Sequence, residues 1–237
     1  MSRKSMPVHM AVIAVWAAVL AAASLLPSFP ILGTGGSFSI ASALVSLSGV
    51  FFGPLAGGLC AAIGSIIGGL LAPNTFWAGP PTFLVPTAGA IAAGFAMRRQ
   101  WLVPLVAIIV LGLAWYLFPL GRQAWFMPTV YLLGVVAIGL LATVFKGWLS
   151  STNPTRLFVA VFLTTLTGIV VSQTVGNLLA LNLFKLPRAL WATLVFIAPV
   201  ERLTFALGAA VVGTPLLIGL PKVGVPVGPA LYEPEEG

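Results

Sequence analysis

The sequence predicts an all-α polytopic membrane protein, and three observations carry that expectation. Of 237 residues, 59% are hydrophobic and 6% charged, against about 25% charged residues in a soluble domain, and the mean hydropathy is +1.12. Apolar runs long enough for a hydrocarbon core of ~30 Å recur along the whole chain. Most Lys and Arg fall between those runs, where the orientation of spans accounts for them. With no polar stretch large enough for a soluble domain, residues 1–220 read as one transmembrane domain in a lipid bilayer. The formal charge of +7 and pI near 10.4 then indicate no nucleic-acid partner.

Composition also removes much chemistry. The chain has no Asp, one His (His9), one Cys (Cys60) and four Glu, three of them among the last five residues. Metal clusters and catalytic triads lack their parts, and no Gly-x-x-x-x-Gly-Lys-Ser/Thr is present to cradle ATP. No enzyme, cofactor or metal site is expected. His9 reads as an interfacial residue and Cys60 as a small core residue.

The first apolar run, Val8 to Pro27, follows Arg3 and Lys4 and ends near Ala21-Ala22-Ala23-Ser24, which suits a signal peptide or a retained helix. Its length and its continuation as further membrane sequence favour the helix. Ala14, Ala18 and Ala22 then form an i, i+4 row flat enough to meet a partner helix. Ser28 to Ser37, with Pro30, Gly33, Gly35 and Gly36, is expected as a loop able to approach a ligand closely. A short span, Phe38 to Phe52, precedes a tight break at Gly53-Pro54.

From Gly49 to Ala72 the chain is too apolar for water and too small-sided to face lipid alone. Gly57, Ala61, Ser65 and Gly69 recur every fourth residue, and Gly64, Gly68 and Ala72 form a second row, so the helix offers two small-residue surfaces. Such surfaces serve ordinary helix packing or border a transport pathway. Ala72 to Pro81 is a second irregular loop with Asn74 and Trp77. The Trp is either an interface anchor or an aromatic face for a ligand ring.

Thr82 to Met97 spans back to Arg98-Arg99-Gln100. Trp101 to Phe118 and Pro128 to Phe145 make a hairpin, with Arg122 in its turn and Lys146 after it. Asn153-Pro154-Thr155 opens a long helix from about Arg156 to Leu183; Lys185, Pro187 and Arg188 turn the chain, and Leu190 to Leu220 is the last span. Residues 221–237, rich in Pro and carrying three acids, are expected to be extended and mobile. The total is about eight spans with both termini on one side. Placing that side in the cytoplasm puts Arg3, Lys4, Arg98, Arg99, Lys146, Arg156 and Lys222 inside and Arg122, Lys185 and Arg188 outside, as the positive-inside rule requires. Loops 28–37 and 72–81 and the turn 184–189 then share the external face.

Depth singles out a polar floor. Gln173 lies ten residues back from Leu183, roughly 15 Å along a helix, and Glu201 lies about as far beyond Trp191. Asn177 sits one turn from Gln173 on the same face. Arg202 projects about 100° from Glu201, so the two need not pair. Pro199 leaves the Val195 carbonyl without its helical donor and is expected to kink the last span. Gln173, Asn177, Glu201 and Arg202 thus form either the floor of a pocket or an ion-pair network that fixes helix register.

The order of these parts, closing on PVERLTFALGAAVVGTPLL, resembles the substrate-binding S component of energy-coupling factor (ECF) vitamin transporters over residues 8–97 and 155–222. The resemblance implies a six-helix core, residues 8–97 and 155–220, with 101–148 as an inserted two-helix hairpin that departs from the family pattern. It implies high-affinity binding and uptake of a vitamin or similar micronutrient as the substrate-specific subunit of an ATP-driven transporter. Its partners would be a transmembrane T subunit, docked on Ala14, Ala18 and Ala22, and two ATPase subunits, all at the cell membrane. Both loops would cover the ligand, bringing Thr34, Asn74 and Trp77 to it above Gln173, Asn177, Glu201 and Arg202. A different class of function is a lone proton-coupled secondary transporter that uses Glu201 as its relay.

Overall fold

Backbone amides in lipid have no partner except their own helix, and the described residues are helical almost throughout. The computed structural model describes residues 10–26, 28–30, 37–39 and 41–231. Its helices are α1 (Met10–Ala23), α2 (Ala41–Leu71), α3 (Leu84–Met97), α4 (Leu102–Ala114), α5 (Pro119–Gln123), α6 (Leu132–Ala142), α7 (Pro154–Leu183) and α8 (Arg188–Gly219). Four stretches, 42–71, 80–97, 154–183 and 188–223, are long and apolar enough to cross a membrane; α1 and the stretches 102–117 and 127–142 are apolar but shorter. These residues form an all-α, membrane-embedded protein. A small ribbon interrupts the helices, β1 (Ser28–Pro30) pairing antiparallel with β2 (Ser37–Ser39) so that Phe29 stands opposite Phe38. The loop expected over 28–37 is therefore framed by paired backbone, and the span expected from Phe38 begins at Ala41. Thr34, with Gly33, Gly35 and Gly36, lies outside the described residues.

The Gly53-Pro54 break is a reversal of the chain. Gly53 adopts φ 80° and ψ −178°, a region that essentially only glycine enters. Beyond it Gly57 returns onto Gly49, so closely that a Cβ on Gly57 would stand 2.6 Å from the Gly49 Cα; in a straight helix the two would lie ~12 Å apart. α2 thus consists of two arms, 41–52 and 54–71. Glycines of both small-residue rows of the second arm make close approaches. Gly57 admits the first arm, while Gly64 and Gly68 admit α1, where a Cβ on Gly64 would fall 2.8 Å from the Leu20 Cβ. The Ser24 hydroxyl, at the end of α1, donates to the Gly68 carbonyl at 3.1 Å.

The remaining helices pack in alternating directions. Gly168 of α7 meets Gly89 and Ala93 of α3, and Gly176 meets Val85, so α3 and α7 are antiparallel; Gly213 brings α8 against Leu47 and Val161. α6 joins the bundle where Gly134 meets Ile108 and Val170. α7 is the central element, and its early polar residues are satisfied within the helix. Asn153 caps its start, its Oδ1 accepting from the Thr155 amide at 2.9 Å, and the buried Thr164 and Thr167 hydroxyls donate to the carbonyls four residues back, at 2.7 and 2.9 Å. These directions gather Arg98, Arg99, Lys146, Arg156 and Lys222 at one end of the bundle and Arg122, Lys185 and Arg188 at the other. Arg99 there donates to the Ser150 hydroxyl at 3.1 Å.

The tail differs from expectation. Val227 and Leu231 are each 1% exposed, and Gly228, at φ 59°, turns the chain against Leu217 and Met97. The segment up to Leu231 is therefore packed onto the basic end, because its valines and leucine supply apolar surface that an acidic, Pro-rich reading overlooks. The three acids lie in 232–237, outside the described residues. α8 continues as one helix through Pro199 and through Pro215.

Candidate binding cavity

On α7, Ile169, Gln173, Gly176 and Ala180 recur at helical spacing, and on α8 so do Trp191, Leu194, Ala198, Glu201 and Phe205. These two stripes face a cavity of about 190 Å³. Ser65 and the glycines 64, 68 and 69 of the second arm of α2 form a facing wall, and Val85 and Pro86 of α3 complete it. Gly64 and Gly68, which admit α1, thus also line this cavity. The rim carries Thr75, Trp77 and Thr82 from the 72–83 turn and Leu186 from the turn between α7 and α8. Trp77 and Phe184 join those two turns, with ring centroids 6.0 Å apart.

The 72–83 turn is built, not loose. Two 3-10 turns, Pro73–Thr75 and Pro80–Phe83, are tied by the Thr75 hydroxyl donating to the Ala72 carbonyl at 2.7 Å and by Thr82 Oγ1 accepting from the Ala78 amide at 2.9 Å. This places Trp77 half-buried on the cavity wall. Asn74 is exposed on its turn and does not line the cavity, contrary to expectation. A three-residue turn directs consecutive side chains apart, and Thr75 holds the inward position instead.

The structure brings Gln173, Asn177, Glu201 and Arg202 together on this cavity. Gln173 is 5% exposed, and its Oε1 has no hydrogen-bond partner among the described residues. The same holds for Nε1 of Trp191, which is 1% exposed. An unmatched buried donor or acceptor costs about 1–3 kcal/mol, a cost that a ligand with the complementary groups removes. Asn177 donates through Nδ2 to the Tyr131 hydroxyl at 3.0 Å. Glu201 and Arg202, which need not pair, do form an ion pair, Oε2 to Nη2 at 3.6 Å. The backbone separates the two Cβ directions by about 100°, a gap that the length of the arginine side chain bridges. Arg202 also lies over the Phe205 ring, 5.9 Å from its centroid.

A second surface lies on α1. Ile13, Ala17, Leu20 and Ala21 are buried against α2, whereas Ala14, Ala18 and Ala22 are exposed. With Leu59, Ile63 and Ile67 these alanines border a shallow apolar groove between α1 and the second arm of α2.

Sequence reasoning missed Trp191, Met127 and Tyr131. Trp191 stands seven residues before Ala198 on the α8 stripe, so helical periodicity extended from Glu201 would have reached it. Met127, which lines the cavity, and Tyr131 come from the 101–148 hairpin, and no local pattern announces a contact made across the bundle.

Fold and site together define a helical membrane protein with a polar-floored internal cavity. Over 159 residues the chain is 23% identical to the uncharacterized protein MJ0923 of Methanocaldococcus jannaschii, covering 67% of this chain and 54% of that protein. The chain thus spans about half the length of that relative. No protein-family model matches the chain and no solved structure does.

Proposed function

We propose that this protein binds a vitamin-like small molecule and admits it to the cell as the substrate-specific subunit of an ATP-driven transporter of the ECF type. In this reading residues 8–97 and 155–220 form a six-helix core, with the 101–148 hairpin inserted. The basic end faces the cytoplasm, and the cavity rim faces outward. The observation that supports it best is a cavity within the bundle whose wall presents Gln173 Oε1 and Trp191 Nε1 unmatched among the described residues. The open alanine row Ala14, Ala18, Ala22 supports a partner helix on the opposite side of α1. Proton coupling through Glu201 is the weaker reading. Glu201 is the single acid among the described residues and is held in an ion pair by Arg202.

Mass spectrometry of small molecules released from the purified, denatured protein tests the binding step. A stoichiometric compound is expected, and its absence would remove the reading. Uptake by cells that also express a T subunit and ATPases should then require ATP. Uptake by the chain alone, driven by a proton gradient, would favour the secondary carrier.

A further inference from the structure

Resting on the reading that the cavity holds the transported molecule, we infer that the outer end of the 101–148 hairpin is a specificity wall of that cavity, in which Tyr131 positions Asn177. Three observations converge. Met127 lines the cavity directly, as the hairpin's own contribution to its wall. Tyr131, 3% exposed, accepts from Nδ2 of Asn177 at 3.0 Å across 46 residues of sequence. Trp115 meets Trp191 edge to face, with ring centroids 4.9 Å apart at 83°. Trp115 is itself fixed, its Nε1 donating to the Gly121 carbonyl at 2.8 Å and the Ala124 carbonyl at 3.2 Å.

The hairpin therefore holds two of the polar groups that a ligand meets. A carboxamide is nearly symmetric in shape, and rotation by about 180° exchanges its donor and its acceptor. Spending one N–H of Asn177 on Tyr131 fixes the order in which Oδ1 and the second N–H are offered. The Trp115 ring likewise fixes the direction of the Trp191 N–H. With Gln173 Oε1 as acceptor, the wall selects a neutral ligand edge bearing both a donor and an acceptor, as an amide or a nitrogen heterocycle does. A six-helix core without the hairpin would lack Met127, Tyr131 and Trp115, and so would leave both groups free to turn.

The test compares wild type, Tyr131→Phe, Asn177→Ala and the double variant, each purified in detergent and incubated with a small-molecule extract of the expression host. Retained compounds are released by denaturation and quantified by mass spectrometry at a temperature where every variant remains folded. Tyr131→Phe should lower retention of the wild-type compound at least tenfold. The double variant should lose no more than Asn177→Ala alone, since a residue acting through another adds nothing once that other is gone. Undiminished retention by Tyr131→Phe, or losses that multiply in the double variant, would overturn the inference while leaving the cavity reading intact. Should Tyr131→Phe not fold, Met127→Ala serves: the retained set should shift toward larger compounds, and an unchanged set counts against a specificity wall. A wild-type protein that retains nothing overturns both readings.

Discussion

Arg202 Nη2 stands 3.6 Å from Glu201 Oε2 on the wall of the cavity, two adjacent residues of one helix that share an ion pair at membrane depth. Arg202 is 7% exposed, so removing its counter-charge leaves a buried cation poorly compensated. Breaking such a pair costs about 3–5 kcal/mol when both partners are fully buried. The Glu201 side chain retains 32% exposure, which reduces the expectation to ~1–3 kcal/mol. Glu201→Gln should lower the thermal unfolding midpoint in detergent and also lower retention of the co-purified small molecule. If Glu201→Gln and Arg202→Gln both lose stability but retain that molecule fully, the pair fixes helix register and the ligand is held by other residues.

Gly53 and Gly139 offer a paired test of the chain reversal. Gly53 holds φ 80° and ψ −178°, so Gly53→Ala introduces strain of about 1–3 kcal/mol where the two arms of α2 are already in contact. Gly139 sits in α6 with nothing within 4 Å of a built Cβ, and Ala there should be neutral or stabilising by up to ~1 kcal/mol. Gly53→Ala should therefore lower the thermal unfolding midpoint, whereas Gly139→Ala should leave it unchanged or raise it. Equal shifts would mean that the reversal is not held at Gly53.

What the sequence made legible follows from what is periodic. The long α7 was readable because Asn153 and Pro154 mark its start, and Gln173 and Asn177 were readable because they share one face and one depth. Gly53-Pro54 announced a break, although only the packing of Gly57 on Gly49 shows that the chain doubles back there. The sequence left open whether Glu201 and Arg202 pair, because Cβ direction does not fix side-chain direction and an arginine spans far more than the arc between neighbouring Cβ atoms. Trp191 was not legible as a wall residue because a tryptophan near a helix start reads equally as an interface anchor. The packed tail was hidden by Pro and Glu counts that outweighed Val227 and Leu231. Tyr131 had no local signature at all.

Trp77 tests the rim. It is half-buried on the cavity wall and braced by Phe184 at 6.0 Å, on a turn closed by the Thr75 and Thr82 hydrogen bonds. Stacking and burial of a ligand ring on a tryptophan is worth roughly 1.5–3 kcal/mol, so Trp77→Ala should lower retention of the native compound at least tenfold with little change in the unfolding midpoint. A smaller effect would make Trp77 an anchor of its turn.

The alanine row of α1 gives the prediction that reaches beyond the cavity. Ala17 and Ala18 are neighbours with opposite surroundings: Ala17 is 1% exposed against α2, its carbonyl 3.0 Å from the place a Cβ on Gly64 would take, whereas Ala18 is exposed beside the groove formed with Ile63 and Ile67. Bulk at Ala17 has nowhere to go, so Ala17→Trp should disrupt the fold itself. Bulk at Ala18 projects from the surface and should leave the fold and the cavity untouched, but a partner helix that needs a flat, small-residue face would be held away. Ala18→Trp is therefore expected to abolish co-purification with a co-expressed T subunit and its ATPases while the variant still retains its small molecule. Val106→Trp is the control, since Val106 is 54% exposed on α4, away from the groove, and should leave association unchanged. If Ala18→Trp and Val106→Trp associate equally well, the partner does not dock on this row. If both lose the partner, the loss reflects bulk at a lipid-facing surface and says nothing particular of α1.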